Sequence, residues 1–244
     1  MHELLQIKQI KKKYGSTQVL NGINLTINTG EIVSLLGING AGKTTLSSII
    51  ATLHPATEGD ILYKGTSIYT HITDYRLQIG YCPQKPNLNP YLTLEQNLLF
   101  AGNLYGMNPD HIHNRIQILV HHFGLQKYLN HKAAALSGGY KQRFMIARSL
   151  MHEPQFIIFD EPTVGLDPHI RRGVWDIIKE LRQEGITVLL TTHYLDEAEK
   201  LSDRVCILDK GSIKLIDTPD KLMIDFKQKN LEDVFIALLQ ANNE

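Results

Sequence analysis

Nothing in this 244-residue chain restricts the fold as tightly as Gly37-Ile38-Asn39-Gly40-Ala41-Gly42-Lys43-Thr44-Thr45. Two glycines with four residues between them, Gly37 and Gly42, the second followed by Lys-Thr, fit the phosphate-binding P-loop. The context fits as well. A strand-like run, Glu31 to Leu36, leads in, and a helix-like run, Thr44 to Leu53, leads out. Glycines let the backbone turn so that several N–H groups face phosphate oxygens. The helix N-terminus adds a partial positive charge. Lys43 is then expected to reach the β- and γ-phosphates, and the Thr44 hydroxyl to bind Mg²⁺. A plain Gly-rich turn before an ordinary helix is the competing reading, and the flanking strand and helix weigh against it.

The chain is long enough for one large domain, or for a core with an inserted subdomain. With 25 basic and 25 acidic side chains it has no global field to recruit nucleic acid. Its single basic run, Lys11-Lys12-Lys13, reads as a solvated patch. Cys82 and Cys206, far apart in sequence, suggest a reducing compartment and no disulfide framework. His111, His113, His121 and His122 lack further ligands at a suggestive spacing, so no metal site is expected there. No apolar run reaches membrane-spanning length, and Met1-His2-Glu3 lacks the features of a secretory signal. The chain is therefore expected to be soluble, or held at a membrane only through a partner.

Alternation predicts strands over 4–10 and 19–29, around Tyr14-Gly15. A tyrosine at 14 suits stacking on a planar base, or an ordinary packed or exposed place. Asp60 to Tyr63 and Ile79 to Cys82 read as short strands, the second stopped by Pro83. From Leu92 the periodicity becomes helical, and 91–150 is expected to be a largely helical subdomain inserted in an α/β core. Phe156 to Phe159 is apolar throughout, as a central parallel strand is, and Ile186 to Leu190 reads as another buried strand. Helices are predicted over Arg171–Gln183, ended by Gly185, and over Tyr194–Leu201. Strands are predicted over Val205–Leu208 and Ser212–Ile216. A last helix, with Asn230 as N-cap, carries the stripe Leu231, Val234, Phe235, Leu238 and Leu239.

Open parallel sheets bind ligands beyond the carboxyl ends of their strands. Lys43, Asp160-Glu161 and His193 all follow such strands, so they are expected on one rim. An acidic pair there is costly as a purely structural choice and sensible near Mg²⁺. Asp160 would hold the ion, and Glu161 would orient or deprotonate an attacking water. Taken singly, the pair also reads as a helix start, and His193 as a packed histidine. Leu136-Ser137-Gly138-Gly139-Tyr140-Lys141-Gln142-Arg143 is a second Gly-rich stretch. Ser137 is expected to cap the next helix, making either a second anion site or an ordinary helix start.

In this order the motifs resemble the nucleotide-binding subunit of ATP-binding-cassette (ABC) transporters, over about 4–216 of the chain. Gly37–Thr45 resembles the Walker A loop, Gln84 the Q-loop glutamine and Leu136–Gln142 the signature. Phe156–Glu161 resembles Walker B, Gly165-Leu166-Asp167 the D-loop, His193 the switch histidine, and Tyr14 the adenine-stacking aromatic. Tyr140 and Ile38 depart from the commoner family residues without removing a phosphate donor. The resemblance implies an α/β P-loop NTPase of RecA-like type. A core over 1–90 and 151–216 would carry a small antiparallel β subdomain. The helical signature subdomain would span 91–150, and a short helical extension 217–244.

It also implies ATP and Mg²⁺ as cofactors. Nucleotide contacts fall to Tyr14, Gly37, Asn39, Gly40, Ala41, Gly42, Lys43, Thr44, Thr45 and Asp160, with Ser137, Gly138, Gly139 and Asp167 contributed across a dimer. Mg²⁺ falls to Thr44, Gln84 and Asp160, and catalysis to Glu161, His193, Lys43 and Gln84. ATP would be sandwiched head to tail between two copies, or between this chain and a paralogue. A groove between about 84 and 107 would grip a permease helix at the cytoplasmic face of the cell membrane. Leu92–Leu98, Leu104–Met107 and Leu231–Phe235 resemble the branch that serves type-2 export permeases. A soluble cassette ATPase of assembly, translation or nucleic-acid remodelling is the alternative. A single cassette and the short Lys43-to-Ser137 spacing, without heptads, speak against it.

Overall fold

Two long strands, β1 (Glu3–Tyr14) and β2 (Thr17–Asn28), open the chain as an antiparallel hairpin about Gly15, whose φ of 58° suits the turn. The computed structural model describes residues 2–241, apart from the side chains of Leu239 and Ala241. Leu239, predicted on the last apolar stripe, therefore lies outside the described side chains.

The chain continues through β3 (Ile32–Leu36), α1 (Lys43–Ile50), β4 (Glu58–Tyr63), β5 (Thr66–Ser67), α2 (Ile72–Arg76) and β6 (Ile79–Cys82). It then enters a helical stretch: α3 (Leu94–Leu104), α4 (Pro109–His122), two short 3₁₀ turns and α5 (Gly138–Ser149). The α/β alternation resumes with β7 (Phe156–Asp160), α6 (Pro168–Gln183), β8 (Thr187–Thr192), α7 (Leu195–Leu201), β9 (Arg204–Asp209) and β10 (Ser212–Asp217). Helices α8 (Pro219–Asp225) and α9 (Leu231–Ala241) close it.

The strands form two sheets. One runs β2-β1-β4-β5 and is antiparallel; the other runs β10-β9-β3-β8-β7-β6. In the larger sheet β9, β3, β8, β7 and β6 are parallel, and β10 is antiparallel at the edge. Strands β3, β7 and β8 are buried at every position. That is why their sequences are apolar without alternation: both faces are covered. One apolar cluster joins the helices α3–α6 to one face of this sheet, and a second fills the space between the other face, α1 and the smaller sheet. A third packs α7, α8 and α9 together over Leu36, Val205 and Ile207.

Several helix ends differ from expectation. Helix α1 stops at Ile50, leaving Leu53 54% exposed beyond it. Helix α6 starts three residues early because Pro168 occupies its first turn, where a missing N–H costs nothing. Ser137 does not cap α5: its side chain makes no capping hydrogen bond, so the first N–H groups of that helix remain open. Asn230 does accept from Asp233 N at 2.8 Å, and a Thr93–Gln96 capping box starts α3. Both thiols are free and buried, and burial pushes each up to about 12.

Candidate functional site

The carboxyl ends of β3, β7 and β8 meet at one open cavity of about 570 Å³. Asn39, Gly40, Gly42, Lys43, Thr44 and Thr45 form one side; Gln84, Glu161, Val164 and His193 form the other. Gly40 and Gly42 take φ of 83° and 108°, which turns the loop tightly before α1. The loop is buttressed from behind. Gly211 N, in the β9–β10 turn, donates to Ala41 O at 3.0 Å. A Cβ on Gly42 would stand 2.7 Å from the Leu20 side chain, so β2 abuts the loop directly.

Lys43 is only 4% exposed. Its ammonium donates to Gly37 O at 2.8 Å and Ile38 O at 3.2 Å, and lies 3.3 Å from Glu161 Oε1. Glu161 is held in the left-handed region, φ 50°, by its N–H, which faces both the carbonyl and the hydroxyl of Thr191 at 3.1 and 3.0 Å. A non-glycine residue in that region costs about 1–3 kcal/mol and persists only where its surroundings over-determine it. Here the strain aims the carboxylate across the cavity mouth. The Gln84 amide donates to Glu161 Oε2 at 3.0 Å, and His193 Nδ1 lies 3.3 Å from the same oxygen, though not in hydrogen-bonding geometry.

Asp160 stands one layer deeper, 1% exposed. Its Oδ1 accepts from the hydroxyls of Thr191 at 2.6 Å and Thr44 at 3.2 Å, and Oδ2 accepts from Tyr81 at 3.4 Å. Burial, then the nearby Asp160 charge, pushes the Tyr81 phenol up to about 12, so it stays a donor. These oxygen donors match the hard-cation preferences of Mg²⁺, which takes one or two carboxylates or hydroxyls and fills the rest with phosphate and water. Among the described residues no cluster of three His, Cys, Asp or Glu arises.

The remaining sequence candidates lie elsewhere. Tyr14, at the hairpin tip, is 47% exposed with the Lys12 ammonium 4.9 Å from its ring centre; Val19 of β2 supplies the cavity wall instead. Ser137, Gly138 and Gly139 open α5 away from the cavity, beside the loop that carries Asp167. A Cβ on Gly139 would sit 2.9 Å from Ile170, and one on Gly138 would sit 3.8 Å from Leu166. Tyr140 turns back on Tyr128, ring centres 4.3 Å apart; Gly138 is exposed and Gly139 half-buried. Ala41 is buried within the loop, and Gly37 lies against Leu208 O.

Sequence reasoning missed Thr191, Tyr81 and the acid behind the rim, Glu197. The visible signal for Thr191 was a Thr-Thr pair closing an apolar strand just before His193. Glu197 of α7 is fully buried and accepts from the Thr163 hydroxyl and the Trp175 indole, both at 2.7 Å on Oε1, while Oε2 lacks a geometric partner. Burial raises its carboxyl above the ordinary range, against the lowering effect of its donors. The folded state therefore binds this proton more tightly than the unfolded chain. The carboxyl's contribution to stability is present at low pH and is lost as pH rises from about 4.5 through the raised value. Glu197→Gln keeps an acceptor for Thr163 and Trp175 and removes the buried charge. Its melting temperature relative to wild type should climb between about pH 4 and pH 8. A constant difference across that range would refute the assignment of the buried charge.

Comparison with known proteins places the chain among relatives of one kind. The family model described as ABC transporter matches residues 20–164, more than half of the chain. The linearmycin resistance ATP-binding protein LnrL of Bacillus subtilis (strain 168) is 39% identical over 219 residues, covering 90% of this chain and 70% of that protein. The Nod factor export ATP-binding protein I of Rhizobium meliloti (strain 1021) is 37% identical, covering 91% and 66%. Among solved structures, an ATP-binding subunit of an ABC transporter superposes with a TM-score of 0.87 at 33% identity, covering 97% of this chain and 99% of that one. A dimeric ATP-binding cassette in a post-hydrolysis state, bound to ADP and Pi, gives 0.80 at 30% identity, covering 88% and 98%.

Proposed function

The chain belongs to the ABC transporter family as an ATP-binding, ATP-hydrolysing subunit, and from that premise we propose how its residues divide the work and which partner it drives. The observation that carries the reading is the Glu161 carboxylate at the cavity mouth, with Lys43, Gln84 and His193 around it. Glu161 orients the attacking water and takes its proton; His193 holds the γ-phosphate side of that arrangement. Lys43 and the P-loop N–H groups bind the β- and γ-phosphates, and Tyr14 stacks on the base. Thr44, Asp160 and the Gln84 amide oxygen would hold Mg²⁺, which would supply neutralisation of the charge developing on the phosphates.

Subunits of this family pair with each other and with membrane permeases. In our reading the open start of α5, with Ser137, Gly138 and Gly139, meets the γ-phosphate held by a second copy, and Asp167 lies at that seam. ATP thereby stabilises a closed pair, and hydrolysis removes the differential binding energy. The names of the relatives, linearmycin resistance and Nod factor export, support an exporter with a type-2 permease. In our reading the chain sits on the cytoplasmic face through that permease; among the described residues no helix is long and apolar enough to cross a membrane. Its docking site is the groove of about 290 Å³ that includes Leu53, Leu104 and Tyr105, where Leu104 stands 66% exposed.

Affinity purification from solubilised membranes tests the partnership. A polytopic permease should co-elute with the wild-type chain and be lost with Leu104→Glu. Co-elution of ribosomes or nucleic acid in its place would favour a soluble remodelling ATPase.

A further inference from the structure

His193 sits in the short turn between β8 and α7, and nothing within that turn explains how its ring is held toward Glu161. Its imidazole is 32% exposed; in the turn Tyr194 N donates to Thr192 Oγ1 at 3.0 Å and Tyr194 O accepts from Ala198 N at 3.2 Å, and neither bond reaches the His193 ring. The ring rests on the next side chain: the His193 and Tyr194 ring centres are 4.4 Å apart, tilted by 39°. Tyr194 is gripped in turn. The guanidinium of Arg171, in the first turn of α6, lies 4.4 Å from the Tyr194 ring centre and 5.3 Å from that of Trp175. Its Nη2 donates to Asp196 at 2.6 Å, and its buried Nε has no acceptor. This head group is oriented by two aromatic faces and one carboxylate, an arrangement that suits a planar cation and not a point charge. Trp175 is pinned on its far edge by its indole bond to Glu197.

We propose that Arg171 is a positioning residue for ATP hydrolysis. By stacking on Tyr194 and pairing with Asp196, it fixes the turn that presents His193 to Glu161. Because α6 begins directly after Asp167, the same side chain ties the switch histidine to the loop at the expected dimer seam. Displacement of that loop is thereby transmitted to His193 through one guanidinium. This rests on the catalytic reading of His193 given above and adds a residue and a route to it.

The test is single-turnover and steady-state hydrolysis of Mg²⁺-ATP by the full chain. Arg171→Ala should lower kcat about tenfold to a hundredfold, as a misplaced catalytic group does, with KM changed by less than about twofold. Arg171→Lys keeps the charge and loses the stack, and should recover only part of the loss. Tyr194→Phe should remain near wild type, whereas Tyr194→Leu should match Arg171→Ala; this pair decides the matter if Arg171→Ala does not fold. Added to His193→Ala, Arg171→Ala should cost less than about a further twofold, because both act through one imidazole. Wild-type kcat in Arg171→Ala, full recovery by Arg171→Lys, or an undiminished factor on top of His193→Ala overturns the proposal. If His193→Ala itself turns over normally, the reading of the histidine fails first, and the two failures are told apart.

Discussion

Glu161→Gln should lower ATP turnover about a hundredfold to ten-thousandfold, the range expected when a positioned general base is removed. Binding should survive the change. The glutamine keeps the backbone N–H that faces Thr191, and an amide oxygen still accepts from Gln84, so the strained φ of 50° remains supported. What disappears is the proton acceptor and one negative charge 3.3 Å from the Lys43 ammonium. Losing that charge leaves Lys43 freer to engage phosphate, so nucleotide affinity should hold or rise. A protein that binds Mg²⁺-ATP and does not hydrolyse it should accumulate as a pair of copies. Light scattering with ATP, against ADP and nucleotide-free controls, reads that pairing, and a phosphate-release assay reads the loss of turnover. Undiminished hydrolysis would remove Glu161 from the role of base. Loss of hydrolysis without any pairing would leave the base in place and count against the two-copy arrangement.

The layout of the rim was legible because each of its parts ends a strand whose sequence is unmistakable. β3, β7 and β8 are buried on both faces, so their runs are mostly apolar, broken by Ser34 and by the threonines of β8, and each leads to the sheet's carboxyl edge. Lys43, Asp160, Glu161 and His193 could be placed together on that basis alone. The residues that hold them could not. Thr191 contacts both Asp160 and Glu161 through a parallel pairing of β7 with β8, a relation between segments some thirty positions apart. Arg171, Trp175 and Glu197 read as an ordinary amphipathic helix and an ordinary acidic first turn. Their meeting depends on how α6 crosses α7, which periodicity does not report. Ser137 shows the opposite error. The residue type was right for a cap, but its hydroxyl makes no capping bond, and local propensity alone does not tell a closed helix start from an open one. The short helix α2 was missed because five residues carry too little pattern to separate helix from turn.

Lys43→Ala should weaken ATP binding by about tenfold to a hundredfold or more, since a charged hydrogen bond to phosphate contributes about 1.5–3 kcal/mol. The ammonium is enclosed by the loop it belongs to, 4% exposed, and its partners are two backbone carbonyls and one carboxylate. Those neutral carbonyls orient the amine without cancelling its charge, so the loop presents a directed cation to an incoming triphosphate. Low exposure limits solvent screening and makes the contact stronger than one made by a surface lysine. Turnover should fall further than affinity, because charge on the transferred phosphoryl oxygens grows toward the transition state and the cation is placed to meet it. Lys43→Met separates charge from volume: it fills the same space and should be as defective as Lys43→Ala. Both variants should remain folded by thermal melting, as Gly37, Ile38 and the Gly211–Ala41 bond still close the loop. Titration with a fluorescent ATP analogue, with and without Mg²⁺, gives the affinity, and normal binding in either variant would show that the loop captures phosphate through its N–H groups alone.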